Sequence, residues 1–260
     1  MAAGLETEAP EPRTAPTSEP AYLAISAFLF IASVGATIYF SQGSMSGGMS
    51  MPGQPWFTAA VSFMGIWIVM MAAMMLPSLV PTLSRYRRSA HVLDKTRLAG
   101  LTVLAGGGYF LVWAGFGTAA YALGLLVPAA EMQWMDLARL VPFATALVLL
   151  LTGCFQMTEW KTHQLECCRE TPDLSQPQSS GSGGAWQYGL RLGLHCCLCC
   201  SGFMLILLVT GMMNLAGMAL VAAAITIERL APRPVLVARA LGILLIFAGA
   251  LGIAQVLGVV

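Results

Sequence analysis

Charged side chains are scarce in this sequence. Of 260 residues, 10% are Asp, Glu, Lys or Arg and 57% are hydrophobic, whereas an average soluble domain is roughly a quarter charged. A chain of this composition cannot keep a folded surface in water. The few charges are also unevenly spread. None falls between Glu19 and Arg85, between Arg97 and Glu131, between Arg191 and Glu228, or beyond Arg239. Each gap reaches or exceeds the roughly 20 apolar residues that cross a bilayer's hydrocarbon core as a helix. The formal net charge is +1, and no basic stripe interleaved with aromatics is present, so no nucleic-acid partner is expected. Ser/His/Asp sets, phosphate-binding glycine loops and paired intramembrane carboxylates are also missing, which leaves hydrolase and nucleotidase readings without support. The expectation is a protein that is not an enzyme. The N-terminus lacks the basic stretch of a signal peptide.

What is present reads as an all-α, polytopic membrane helix bundle of about seven transmembrane helices. Residues 1–20, with Pro10, Pro12, Pro16 and Pro20 and few apolar side chains, are expected to be a disordered tail, and residues 21–260 the transmembrane domain. The charge-free runs predict helices from about Ala21 to Phe40, Thr58 to Leu79, Leu98 to Val127 and Leu137 to Met157. A cytoplasmic linker of about 158–190 follows. Residues 192–227 would be roughly 54 Å long as one helix, nearly twice the hydrocarbon thickness, so two helices are expected, broken at Gly211-Met212-Met213-Asn214. A last helix runs from about Val235 to Leu257. With the N-terminus cytoplasmic, the basic residues of 85–97, then Lys161, Arg169 and Arg191, then Arg229, Arg233 and Arg239 all face inward, as loops rich in Lys and Arg do. Arg139 is the lone exception. The lipid bilayer is thus the first expected partner.

Seven cysteines are crowded rather than spread: Cys154, Cys167, Cys168, Cys196, Cys197, Cys199 and Cys200. Crowding favours ligation or redox chemistry over stapling. The densest run is His195-Cys196-Cys197-Leu198-Cys199-Cys200, expected at the cytoplasmic entrance of the fifth helix. At about 100° per residue, His195, Cys196, Cys199 and Cys200 share an arc of roughly 140°, and Met204 continues that face one turn on. Thiolate, thioether and imidazole suit copper(I), while thiolate and imidazole also suit zinc. Packing of small buried hydrophobes is the plainer reading of such cysteines, and the overlapping Cys-x-x-Cys pairs keep thiol redox chemistry open. A single helix rarely closes a coordination shell, so a neighbour is expected to complete the site. In the second helix Met70 stands above Met74 and Met71 above Met75, giving two thioether ladders, although methionine is also a common gap-filler. Met45, Met49, Met51, Met132, Met135, Met212 and Met213 fall on the expected outer connections. Thioethers outside and thiols inside suit a metal path, because methionine survives an oxidising compartment and cysteine stays reduced in the cytosol. In the cytoplasmic linker, His163, Cys167 and Cys168 offer a relay, with Cys154 and Met157 nearby. Glu228 beside Arg229 reads as an interfacial ion pair, His91 as a surface residue, Asn214 as a helix break, and Gly189 with Gly193 as a Gly-x-x-x-Gly helix contact.

At these residues the chain resembles a bacterial family of predicted metal-binding integral membrane proteins, sometimes labelled copper chaperones. The resemblance covers most of residues 57–230. In the second helix it is carried by Trp67, Met70, Ala73, Met74, Met75 and Pro77. In the fifth and sixth helices it is carried by Gly189, Gly193, Cys196, Cys199, Cys200 and Met204, then Gly211, Met213, Asn214, Met218 and Glu228. Lys161, Cys168, Arg169 and Pro172 also match the pattern after the fourth helix. Gln164 stands where the family has a further cysteine, and His195 and Cys197 are donors outside the pattern. The resemblance implies metal binding in the bacterial inner (plasma) membrane. Residues and resemblance together lead us to expect a copper(I) chaperone or metallation factor serving a copper-requiring membrane or periplasmic partner protein. Zinc is the alternative metal. The rival expectations are a copper transporter, a membrane thiol oxidoreductase, and an accessory subunit of a copper-containing membrane oxidase or monooxygenase.

Overall fold

A computed structural model describes residues 19–43, 55–89, 94–133, 137–169, 181–210 and 214–258. Among them there is no strand. The helices are α1 (Glu19–Gly43), α2 (Trp56–Ser89), α3 (Lys95–Gln133), α4 (Leu137–Gln156), α5 (Glu159–Cys167), α6 (Ser182–Thr210), α7 (Leu215–Leu230) and α8 (Pro234–Val256). Each helix expected from the charge-free runs has a counterpart. The expected break after the cysteine-bearing helix is also observed: α6 ends at Thr210, and Asn214 caps α7 by accepting a hydrogen bond from the Gly217 amide at 3.1 Å.

α3 continues past Val127 to Gln133, and two further boundaries differ from expectation. The second helix does not stop near Leu79 but runs 34 residues, through Pro77 and Pro81, a length of about 51 Å. Ser78 and Thr82 donate to the carbonyls of Met75 and Ser78 at 3.0 and 3.2 Å beside those prolines, and the buried face continues through Leu83 and Tyr86. Packing on that face outweighs the local cost of the prolines. The segment expected to be a polar linker, 158–190, holds both α5 and the first turns of α6. Thr158 caps α5 by accepting from the Lys161 amide at 3.3 Å, and α5 turns back by 71° from α4. Residues 1–18 of the expected tail, the methionine loop with Met45, Met49 and Met51, and His91, Met135, Pro172, Gly211, Met212 and Met213 lie outside the described residues, as do the side chains of Met132 and Arg139, whereas Glu19 and Pro20, expected in the tail, open α1.

Five helices, α1, α2, α3, α6 and α8, are long and apolar enough to cross a membrane, and the bent α4 and α5 pair makes a sixth candidate. α7 has 16 residues, fewer than the roughly 20 of a full span. Polarity is inverted relative to a soluble protein. Phe28, Leu220, Leu244 and Phe247 are all more than 60% exposed, whereas Lys161, Glu228 and Arg229 are at most 3% exposed. An apolar exterior of this extent is compatible with a membrane protein.

Helix contacts are set by glycine. α3 packs closely on α6 and α4 on α8. A Cβ at Gly189 would collide with the Ala105 carbonyl, and one at Gly193 would lie 2.9 Å from the Tyr109 carbonyl. The expected Gly-x-x-x-Gly contact is therefore real, and α3 is its partner. On the other side of the molecule, a Cβ at Gly249 would sit 2.6 Å from the Leu150 amide nitrogen. These approaches fix α6 centrally, against α3, α4, α5 and α7.

Candidate metal centre

The side chains that turn inward follow helical spacing. On α2 they include Trp67, Met70, Met71, Met74, Met75 and Ser78; on α6, Gly189, Leu192, Gly193, Cys196, Cys199, Cys200 and Met204; on α7, Met218, Val221, Ile225 and Glu228. Steps of three and four residues keep each set on one helix face. α5 does the same with Lys161, Gln164, Leu165 and Cys168. The four faces meet in one continuous core, so Met70, Met71, Met74, Met75, Cys168, Cys196, Cys199, Cys200 and Met204 are all gathered in it, with Met218 added from α7. Cys197 is only partly buried against its edge. Cys196, Cys199 and Cys200 lie 14 to 18 residues into α6 (196 − 182 and 200 − 182), not at its mouth as expected, because α6 begins earlier than its charge pattern indicates.

The thiols meet in overlapping pairs. Cys200 Sγ is 4.0 Å from both Cys196 Sγ and Cys199 Sγ, and Cys168 from α5 faces Cys199. Two sulfurs 4.0 Å apart, each about 2.3 Å from one ion, subtend about 120° at it, an angle open to a soft ion of low coordination number. Among the described residues no three His, Cys, Asp or Glu side chains are already gathered as a group that could hold a metal ion. A turn beyond Cys200, Met204 joins Met70, Met71 and Trp67 around a small recess. Met74 and Met218 line a separate apolar cleft that reaches α1. Met70 and Met71 of the α2 ladders thus share a recess with Met204 of the thiol helix.

Sequence reasoning missed the polar frame. Lys161 Nζ donates to the Cys199 carbonyl at 2.6 Å, lies 3.7 Å from Cys199 Sγ, and forms an ion pair of 2.7 Å with Glu228. Gln156 donates to the other Glu228 oxygen at 3.4 Å. Arg229 Nη1 donates to Ser78 Oγ at 3.0 Å and to Cys196 Sγ at 3.2 Å, and Tyr109 Oη lies 3.1 Å from the same sulfur. The expected interfacial pair of Glu228 with Arg229 is therefore corrected. The two residues are buried and turn to different partners, since adjacent helix positions diverge by about 100°. His195 is half-buried and its Nδ1 is 2.6 Å from Gln164 Oε1, so α5 engages the imidazole of α6 through a glutamine. His163 Nε2 and Cys167 Sγ, 3.7 Å apart, lie on the outer side of α5, and Cys154 is exposed, so neither group belongs to the buried cluster.

The family described as PpoB2, copper chaperone, matches the chain over residues 64–252, from α2 to α8. The chain belongs to this family. Every side chain of the sulfur cluster lies within the matched residues, so membership in the copper chaperone family and the buried thiols concern the same part of the fold. No curated protein and no solved structure matches the chain.

Proposed function

We propose that this member of the copper chaperone family is an integral membrane carrier of copper(I). In this reading it takes up the ion among Cys196, Cys199, Cys200 and Cys168, passes it by way of Met204 to Met70, Met71, Met74 and Met75, and delivers it to a copper-requiring partner protein in or outside the membrane. The observation that carries the reading is the convergence of thiols from α5 and α6 with thioethers from α2 and α6 in one water-poor core. Soft sulfur donors select copper(I) over the hard divalent ions. His195 and Cys197, at the edge of the cluster, serve as donors during uptake. Zinc, which the thiols also suit, is the metal to be tested against copper.

The proposal places seven spans in a bacterial inner membrane, with the N-terminus and the basic loops on the cytoplasmic side and α7 completing the count despite its length. The protein performs no catalysis of its own. Metal analysis of the purified protein under reducing conditions tests the reading. About one copper per chain is expected for the wild type, and little for a variant with Cys196, Cys199 and Cys200 changed to Ser. Equal copper in both would refute it. A second reading, movement of copper across the membrane, is favoured by the recess where Met204 meets Met70 and Met71. Copper uptake into sealed vesicles separates carrier from transporter.

A further inference from the structure

Lys161 and Glu228 cancel one another's charge at 2.7 Å. Among the described residues Arg229 has no such partner. It is 3% exposed; among the described residues its Nη1 donates to the Ser78 hydroxyl and the Cys196 thiol, and its buried Nη2 meets no hydrogen-bond partner. A lone guanidinium in an apolar interior is costly unless an anion or a set of acceptors compensates it. The group facing Arg229 is the cysteine cluster, whose thiols are neutral until they release protons.

We propose, resting on the copper reading above, that Arg229 is the built-in counter-cation of the metal complex, so that the site selects a soft monovalent ion held by two thiolates. The charges balance. Two thiolates and one copper(I) carry −1, the Lys161 and Glu228 pair carries zero, and Arg229 carries +1. The loaded site is then neutral as a whole. The same two thiolates around a divalent ion would carry zero, leaving the Arg229 charge uncompensated in a medium that strengthens every unbalanced charge. Selectivity between copper(I) and zinc or cadmium thus lies in a residue that does not ligate the metal.

The test uses the full-length protein in detergent micelles under anaerobic, reducing conditions, with copper(I) and cadmium(II) affinities measured by competition against chromophoric chelators. In Arg229→Gln, which keeps a hydrogen-bonding head but loses the charge, copper(I) affinity is expected to fall on the order of 100-fold, in the range found when one member of a buried charge pair is removed. Cadmium(II) affinity should fall much less. Arg229→Lys should recover copper(I) binding to within about tenfold of wild type, the factor allowed for its different geometry. The double variant Arg229→Gln with Glu228→Gln should also recover it, since Lys161 then becomes the uncancelled cation. A purely structural role for Arg229 predicts no such rescue. Wild-type copper(I) affinity in Arg229→Gln, or equal losses for the two metals, would overturn the inference while leaving the copper reading intact. No copper(I) binding by the wild type would overturn the copper reading itself. Should Arg229→Gln not fold, Glu228→Gln alone decides: it adds positive charge and should bind copper(I) at least as tightly as wild type, and weaker binding refutes the charge balance.

Discussion

Replacing Lys161 with Met removes a cation that is 1% exposed and bonded to both Glu228 and the Cys199 carbonyl. Among the described residues the carboxylate left behind keeps Gln156, at 3.4 Å. Breaking one side of a buried ion pair costs about 3–5 kcal/mol, most of it the uncompensated charge that remains. Replacing both partners, in Lys161→Met with Glu228→Gln, removes that term. What persists, in both variants, is the lost bond from a charged donor to the Cys199 carbonyl, about 1.5–3 kcal/mol. The double variant should therefore be more stable than Lys161→Met alone by about 2 kcal/mol or more, a coupling well above the ~0.5 kcal/mol within which independent sites add. Reversible unfolding of the metal-free protein in mixed detergent micelles, followed by circular dichroism as the denaturing detergent is increased, measures all four corners of the cycle. Strictly additive costs would show that Lys161 and Glu228 do not share an ion pair, and the polar frame described above would be wrong.

Gly193→Ala places a methyl 2.9 Å from the Tyr109 carbonyl and 3.1 Å from Val112. It should cost about 1–3 kcal/mol in the same unfolding assay, as overpacking does. Met204→Leu conserves volume and should cost less than about 1.5 kcal/mol, yet lower copper retention during dialysis against a soft chelator; unchanged retention would remove Met204 from the path. In the folded protein a small maleimide should modify Cys154 readily and Cys196, Cys199 and Cys200 slowly, since the first is exposed and the others are buried. Labelling of Cys167 from only one side of sealed vesicles, right-side-out against inverted, reports which side bears α5.

Helix existence was legible because the charge-free runs are long and because charge is expensive in hydrocarbon at nearly every position. That residues 192–227 must break was legible from length, and the place of the break from Gly211 and Asn214. The inward faces of α2 and α6 were legible because their sulfur residues repeat at three and four. α5 was not, although Lys161, Gln164, Leu165 and Cys168 have the same spacing. Two of those four, Lys161 and Gln164, are polar, so the stripe is invisible to a reading that equates burial with hydrophobicity. That spacing, taken together with the family resemblance at Lys161 and Cys168, was the signal available for finding α5. Likewise, the basic residues that begin at Arg85 signalled an end to α2 that packing overrides.

The sequence by itself determined the all-helical class, the apolar segments, and which sulfur atoms share a helix face, because periodicity and charge are properties of the chain alone. Only the tertiary structure decided that those faces meet, that Glu228 turns to Lys161 and not to Arg229, and that Arg229 points at a thiol. These outcomes depend on helix approach at glycines and on the side from which α5 folds back. Such distances, between residues up to 151 positions apart in the chain, are set by packing across the bundle and have no local signature.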